Sequence, residues 1–246
     1  MASYESLAAS YDELTYDIDY AGVLDFLEQL LHHAHRSARS VLDLACGTGS
    51  LLTCLLDRGY DAIGADLSED MLAVASEKLA EREHMPLLLC CPMQELRLPD
   101  KVDWIVCCLD SLNYVTDPKD CQKALQRAYE NLKPGGTLVF DINTPCKLRG
   151  LDGQIFLDET DDTYCVWRAE FSEEERSIFY GMDIFQREGE TWLRSQEVHQ
   201  EYAYAPEELT QWLKAAGFAT VEIFADRRME APLPDEQRIY FLATKE

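Results

Sequence analysis

The chain has 246 residues, 47% of them hydrophobic, which suits one large domain or one domain with a sizeable insertion. Its formal charge is -24, from 22 Lys+Arg against 46 Asp+Glu, and no dense Lys/Arg run interrupts it. Such a surface repels phosphate backbones, so nucleic acid is a poor partner. No apolar run reaches the ~18 residues of a membrane span, and the start Met1-Ala2-Ser3-Tyr4-Glu5 lacks a basic region followed by an apolar stretch. A cytoplasmic protein with no membrane partner is expected.

In chain order, Leu7 to Tyr20 is rich in Tyr and Asp, and Val23 to His33 carries apolar residues at 23, 24, 27, 30 and 31, a helical period. A regular alternation follows. Ser40 to Leu44 reads as a strand and leads into a glycine-bearing loop. Leu51 to Arg58 reads as a helix ended by Gly59. Asp61 to Ala65 is a second strand, and Ser68 caps a helix running to about Arg82. Leu87 to Cys91 and Trp104 to Leu109 are the third and fourth strands. Lys119 to Leu132 is a helix closed by Lys133-Pro134-Gly135-Gly136, and Thr137 to Asp141 is the fifth strand. Continuous apolar strands alternating with helices predict a parallel sheet covered on both faces.

The pattern changes after Pro145. Tyr164 to Phe171, Ile178 to Gln186 and Trp192 to Tyr204 read as an antiparallel meander with polar turns between them. Pro206 to Ala216 returns to a helix ended by Gly217, and Ala219 to Ala225 and Arg238 to Thr244 supply two last strands. The expected fold is α/β: a doubly wound, mostly parallel seven-stranded sheet formed by residues 1–150 and 205–246, with an antiparallel β insertion at 151–204.

Nine cysteines occur, none in a Cys-x-x-Cys pair. Cys90-Cys91 and Cys107-Cys108 sit in apolar runs, so buried, reduced thiols are expected. The His32-His33-x-His35 cluster has no partner cluster, and no metal site is expected.

The loop Asp43-Leu44-Ala45-Cys46-Gly47-Thr48-Gly49 carries the chemistry. Gly47 and Gly49 lack a Cβ, so a ligand can approach the backbone, and the helix behind them offers free N–H groups. Asp66 closes the second strand 17 residues after Gly49, where a carboxylate can accept hydrogen bonds from both hydroxyls of a ribose.

The run VLDLACGTGSLL at 41–52 resembles motif I of class I S-adenosylmethionine-dependent methyltransferases. The run IGADLSEDML at 63–72 is similar to their second motif, and NLKPGGTLVFD at 131–141 to the stretch entering their fifth strand. The resemblance covers residues 35 to 145 in order and spacing, and Leu52 stands where a dinucleotide-binding loop would want a third glycine. It implies S-adenosylmethionine as cofactor and S-adenosylhomocysteine as product. It further implies that Asp43, Ala45, Cys46, Gly47 and Gly49 surround the methionine moiety and that Asp66 holds the ribose. Leu67 and Met71 would pack near the adenine, Met93 and Gln94 would flank its edge, and Asp110 would sit near the cofactor amine. Two positions depart from the pattern: Ala45 replaces a common glycine, and Pro92 replaces a common aspartate that contacts the adenine amine.

Methyl transfer requires alignment and exclusion of water more than any one residue, and a base only if the nucleophile arrives protonated. Candidates on the acceptor side are Asp110-Ser111-Leu112-Asn113-Tyr114, with Asn113 and Tyr114 singled out, and the N-terminal tyrosines. Of these, Tyr11 and Tyr20 would close over the cofactor and Tyr16 would face the acceptor. The meander adds Trp167, Arg168, Glu197, His199, Tyr202 and Tyr204. Glu197 and His199 share one side of a strand and form either an acid/base pair or an ordinary exposed pair. An insertion after the fifth strand is similar to that of methyltransferases acting on small amines, amino-sugar N-methyltransferases included. Three functions stay open: methyl transfer to N or O of a small molecule, methylation of tRNA or rRNA, and non-catalytic cofactor binding. The sequence leaves the oligomeric state open, a homodimer included.

Overall fold

The computed structural model describes residues 11–246. After a short helix α1 (Tyr11–Leu14), helix α2 (Tyr20–His33) starts at Asp19, whose carboxylate accepts from Gly22 N–H at 2.9 Å. Strand β1 (Ser40–Leu44) then enters the glycine loop, followed by α3 (Ser50–Asp57), β2 (Asp61–Asp66), α4 (Glu69–Leu79), β3 (Leu88–Cys90) and β4 (Val102–Cys107). Helix α5 (Pro118–Asn131) begins with Asp117 as cap and proline at its first position, an order that satisfies one orphan N–H and needs no donor from the next residue. Strand β5 (Leu132–Asn143) and helix α6 (Pro145–Gly150) complete the first part.

The four strands β6 (Ile155–Glu159), β7 (Thr163–Ser172), β8 (Ser177–Glu188) and β9 (Thr191–Tyr202) follow, then α7 (Pro206–Ala216), β10 (Thr220–Ala225) and β11 (Arg238–Thr244). The main sheet has seven strands in the order β10-β11-β5-β4-β1-β2-β3. β1 pairs in parallel with β2 and β4, and β11 lies antiparallel between β5 and β10. Successive side chains take opposite faces. Leu42, Ile105 and Phe140 pack against α5 and α7, while Val41, Trp104 and Val139 pack against α2 and α3. A doubly wound seven-stranded sheet is therefore what the chain forms, with the antiparallel β6-β7-β8-β9 sheet beside it.

Several expected boundaries move. β4 ends at Cys107 because Leu109 and Asp110 both adopt positive φ, 58° and 53°, and leave the extended region. β5 starts at Leu132, so Lys133 to Gly136 belong to the strand, with a register shift between Val102 and Trp104 on the partner. β3 is a three-residue edge strand, which leaves Cys90 exposed and Cys91 half-buried, against the expected burial of both. Cys107 and Cys108 are buried as expected, and their thiols are pushed well up by burial. β6 and α6 are additional to the expected elements.

The strand order reverses between β1 and β4, since β2 and β3 lie on one side and β5, β11 and β10 on the other. A ligand crevice opens at the carboxyl ends of strands at such a switch point.

Candidate active site

A cavity of about 530 Å³ opens there. Its floor is the loop after β1, from Asp43 to Thr48, and one wall follows β2, from Asp66 to Ser68 with Met71. Cys91 to Gln94 after β3 and Cys108 to Asp117 after β4 add further wall, though Asp110, Leu112 and Asn113 of that stretch turn away.

The loop is built from left-handed residues. Gly47 has φ 53°, and a Cβ placed on it would meet nothing within 4 Å, so the missing side chain leaves open space on the cavity side. Gly49 differs. It has φ 77° at the start of α3, and a Cβ there would stand 3.1 Å from Ala75 Cβ. Gly49 does not line the cavity, and it packs the loop closely onto α4. Ala45 takes φ 62°, a conformation its methyl makes costly.

Two carboxylates converge on this loop. Asp43 is 2% exposed, and its Oδ2 has no hydrogen-bond partner among the described residues. Burial, reinforced by the Asp66 charge, pushes its carboxyl up to about 7. A buried lone carboxylate oxygen is costly unless a ligand donates to it. Asp66 accepts Gly47 N–H at 2.8 Å on one oxygen and Ser68 N–H at 2.9 Å on the other. Each oxygen keeps further acceptor capacity for a donor in the cavity. Burial raises this carboxyl too. Leu67, 62% exposed, is an apolar side chain standing over the same space.

Helix α1 is pinned over the loop. Thr48 Oγ1 donates to Asp12 Oδ1 at 2.6 Å, and Lys78 Nζ bridges to Asp12 Oδ2 at 2.6 Å. Tyr11 and Tyr20 both line the cavity, and burial raises both phenols. Tyr114 lines it from the 3-10 turn after β4.

Other expected residues fall elsewhere. Tyr16 is 83% exposed, in the turn between α1 and α2, and does not line the cavity. Asn113 is fully buried. Its amide donates to Asn143 O at 3.1 Å and Tyr202 O at 3.0 Å, and its oxygen accepts Asn143 N–H at 3.0 Å, so it ties the turn to β5 and β9. His199 is buried and 2.8 Å from Glu197 Oε2, which overturns the exposed-pair reading. It meets the edge of Tyr114 and does not line the cavity. Asp110 turns away from the cavity to pair with Arg238. Of the meander, only Val198 and Gln200 reach the wall, while Arg168 pairs with Asp183 at 2.6 Å and Tyr204 donates to Val115 O.

Ser50, Thr116, Asp117 and Asp120 line the cavity from outside the expected stretches, while Thr48 and Ser111 line it from within them. Asp117 and Asp120 read locally as the cap and first turn of α5, and the sequence offered no sign that the helix start faces a ligand.

An orphaned carboxylate, a glycine opening onto empty space and an exposed apolar residue beside a ribose-type acceptor fit a zwitterionic nucleoside. Residues 41–136 match the family described as Methyltransferase domain. The chain is 32% identical over 244 residues to a putative methyltransferase, YqeM, of Bacillus subtilis, covering 98% of this chain and 97% of that protein. The chain belongs to the class I S-adenosylmethionine-dependent methyltransferases. A crystal structure of an S-adenosylmethionine-dependent methyltransferase from Clostridium acetobutylicum superposes with a TM-score of 0.87 at 30% identity, over 99% of each chain. A dTDP-3-amino-3,4,6-trideoxy-alpha-D-glucopyranose N,N-dimethyltransferase of Streptomyces venezuelae is 32% identical over 124 residues, 50% of each chain. This methyltransferase thus takes S-adenosylmethionine as cofactor, and no helix among its described residues is long and apolar enough to cross a membrane.

Proposed function

We propose that this methyltransferase transfers its methyl group to a small-molecule acceptor, with an amine nitrogen as the favoured nucleophile. One observation carries the reading: beyond Asp43 and Asp66, which serve the cofactor, the cavity wall bears Asp117 and Asp120 and, among the described residues, no Lys, Arg or His. Residues 1–10, MASYESLAAS, hold no basic side chain either. A wall of one sign focuses the opposite charge into the cleft and repels phosphate, which argues against RNA and for an acceptor that enters as a cation. The Streptomyces relative, named for an amino-sugar substrate, supports the amine reading.

The cofactor supplies a sulfonium-activated methyl group. The chain's own residues bind, orient and exclude water. Asp43 would hold the cofactor's ammonium, Asp66 the ribose hydroxyls, and Leu67, Met71, Met93 and Gln94 the adenine. Cys46 and Ala45 shape the loop under the methionine chain. Tyr11 and Tyr20 cover this end, and Tyr114 stands on the acceptor side. Val198 and Gln200 of β9 form the rim, which supports reading residues 151–204 as an acceptor-side insertion into the cofactor domain of 1–150 and 205–246. The carboxylate-lined cavity draws the ammonium in, and the ammonium must pass a proton to water before its nitrogen can attack.

The test is release of S-adenosylhomocysteine from S-adenosylmethionine over a panel of small amines, the matching alcohols and bulk tRNA. Amine-dependent release is the expected result. Release that depends on tRNA alone, and falls steeply with salt, would replace this reading with an RNA methyltransferase.

A further inference from the structure

Leu109 and Asp110 are consecutive left-handed residues that follow β4, and neither is glycine. A bulky side chain in that region is a genuine outlier, and such outliers persist only where surrounding contacts over-determine them. The contacts are visible. Asp141 on β5, with no exposed surface, accepts Leu109 N–H at 2.7 Å on Oδ1 and Asp110 N–H at 2.9 Å on Oδ2. Arg238, the first residue of β11, donates one guanidinium nitrogen to Asp141 and the other to Asp110. Its side chain is 18% exposed and that of Asp110 16%. Without a cation between them, the two carboxylates would repel across a water-poor space.

The turn held in this way is part of the cavity wall. Leu109, Ser111 and Tyr114 line the cavity, while Asp110, the residue between the first two, points away to the guanidinium. The conformation therefore sorts side chains: it sends the charge into the protein and presents Leu109 and Ser111 to the ligand. A fork across two carboxylates needs a planar, bidentate donor, which lysine is not.

We propose that Arg238 is a positioning residue of the methyl-transfer site, its fork between Asp110 and Asp141 fixing the Leu109–Asp110 turn that forms the cavity wall. The proposal rests on the cofactor occupying this cavity. Arg238 touches no ligand; it acts through Asp141 and the two amides.

The experiment is calorimetry with S-adenosylhomocysteine on the full-length wild type, Arg238→Met, Arg238→Lys and the double variant Arg238→Met/Asp110→Asn, with amide exchange followed at Leu109 and Asp110. Absence of binding by the wild type would sink the cofactor assignment itself. Given wild-type binding, Arg238→Met is expected to weaken the ligand at least tenfold per binding-competent molecule and to expose the two amides to exchange. Arg238→Lys should lose at least threefold. Removing the Asp110 charge in the double variant should recover part of the loss, because Asp141 can still accept both amides without a like charge facing it. A purely structural role would lower the unfolding midpoint but leave the dissociation constant of the folded fraction unchanged. Wild-type affinity in Arg238→Lys, or unaltered exchange at Leu109 and Asp110 in a folded variant, would overturn the proposal. If Arg238→Met does not fold, the lysine variant alone decides.

Discussion

Asp43 is the penultimate residue of β1, and Asp110 follows its neighbour β4 at the same edge of the sheet, yet the two are used in opposite ways. Asp43 is buried with an oxygen that no described residue satisfies, and its carboxyl rises to about 7. Asp110 gives its charge to Arg238, reached across 128 positions of sequence. The first is an electrostatic debt that a cationic ligand settles, and the second is already neutralised by the fold. An acidic residue at the carboxyl end of a strand is therefore no guide to ligand contact until its partners are known. Three substitutions bear on this contrast, in decreasing order of expected effect.

Asp43→Asn keeps the shape and removes the charge. If Asp43 is reserved for an ammonium, cofactor affinity should fall by on the order of 3 kcal/mol, roughly 100-fold, the upper range for a hydrogen bond to a charged group. Stability without ligand should hold or rise, because an unpaired buried carboxylate opposes folding. The pH dependence has a definite sign. The folded carboxyl titrates at about 7, against ~3.9 when unfolded, so between those values the folded state holds a proton that the unfolded chain has lost. Stability of the ligand-free protein should decline as pH rises through that window, relative to Asp43→Asn. Cofactor affinity should instead climb as pH passes 7 and the carboxylate forms. Calorimetry at pH 6, 7 and 8 with thermal scans reads both, and a flat affinity profile would mean that Asp43 does not meet the ammonium.

Asp66→Ala sits between the two cases, since its oxygens serve both the loop and the cavity. Loss of the ribose acceptor should cost roughly 1.5–3 kcal/mol of cofactor affinity. Comparison with 2′-deoxy and 3′-deoxy forms of S-adenosylhomocysteine separates the two jobs. If Asp66 binds ribose, the variant should discriminate less among these ligands than wild type. If it only braces Gly47, all should weaken in equal proportion.

The loop and carboxylate that floor the cavity were legible because they are local: β1, the glycine loop, Asp66 and the Ser68 cap of α4 all lie within 40–68. The alternation of buried strands and helices was legible for the same reason. The other side depends on distance. Arg238 acquires its meaning from Asp141, 97 positions away, and from Asp110, and no pattern around it announces either partner. Strand β6, Ile-Phe-Leu-Asp-Glu, carries no alternation, because it lies at the edge of its sheet with four of its five residues exposed. Helix α6 is six residues long, too short to show a helical period, although proline suits its first turn. His199 and Glu197 were correctly assigned to one side of β9, but which side was buried depended on packing across β8.

Ala45 extends the comparison to the backbone. Both walls of the cavity contain non-glycine residues at positive φ, but Leu109 and Asp110 are held by side-chain hydrogen bonds to Asp141, and no such bond reaches Ala45 among the described residues. Its neighbour Cys46 is anchored by its N–H to Ala65 O at 3.0 Å, which fixes the chain direction and leaves the methyl to bear the strain. A left-handed L-residue costs roughly 1–2 kcal/mol, while glycine adds about 0.5–1 kcal/mol of unfolded-state freedom. Ala45→Gly should therefore stabilise the protein by up to about 1 kcal/mol, a rise of roughly 2–4 °C in Tm for a chain of this size. Cofactor affinity should stay within about threefold, since the change removes a single methyl from the cavity floor and leaves Gly47 and the two carboxylates in place. A drop in Tm would show that the loop does not hold Ala45 left-handed in solution. A large gain in affinity would show instead that the methyl obstructs the ligand, and that relaxing this loop matters to binding as much as the charge of Asp43 does.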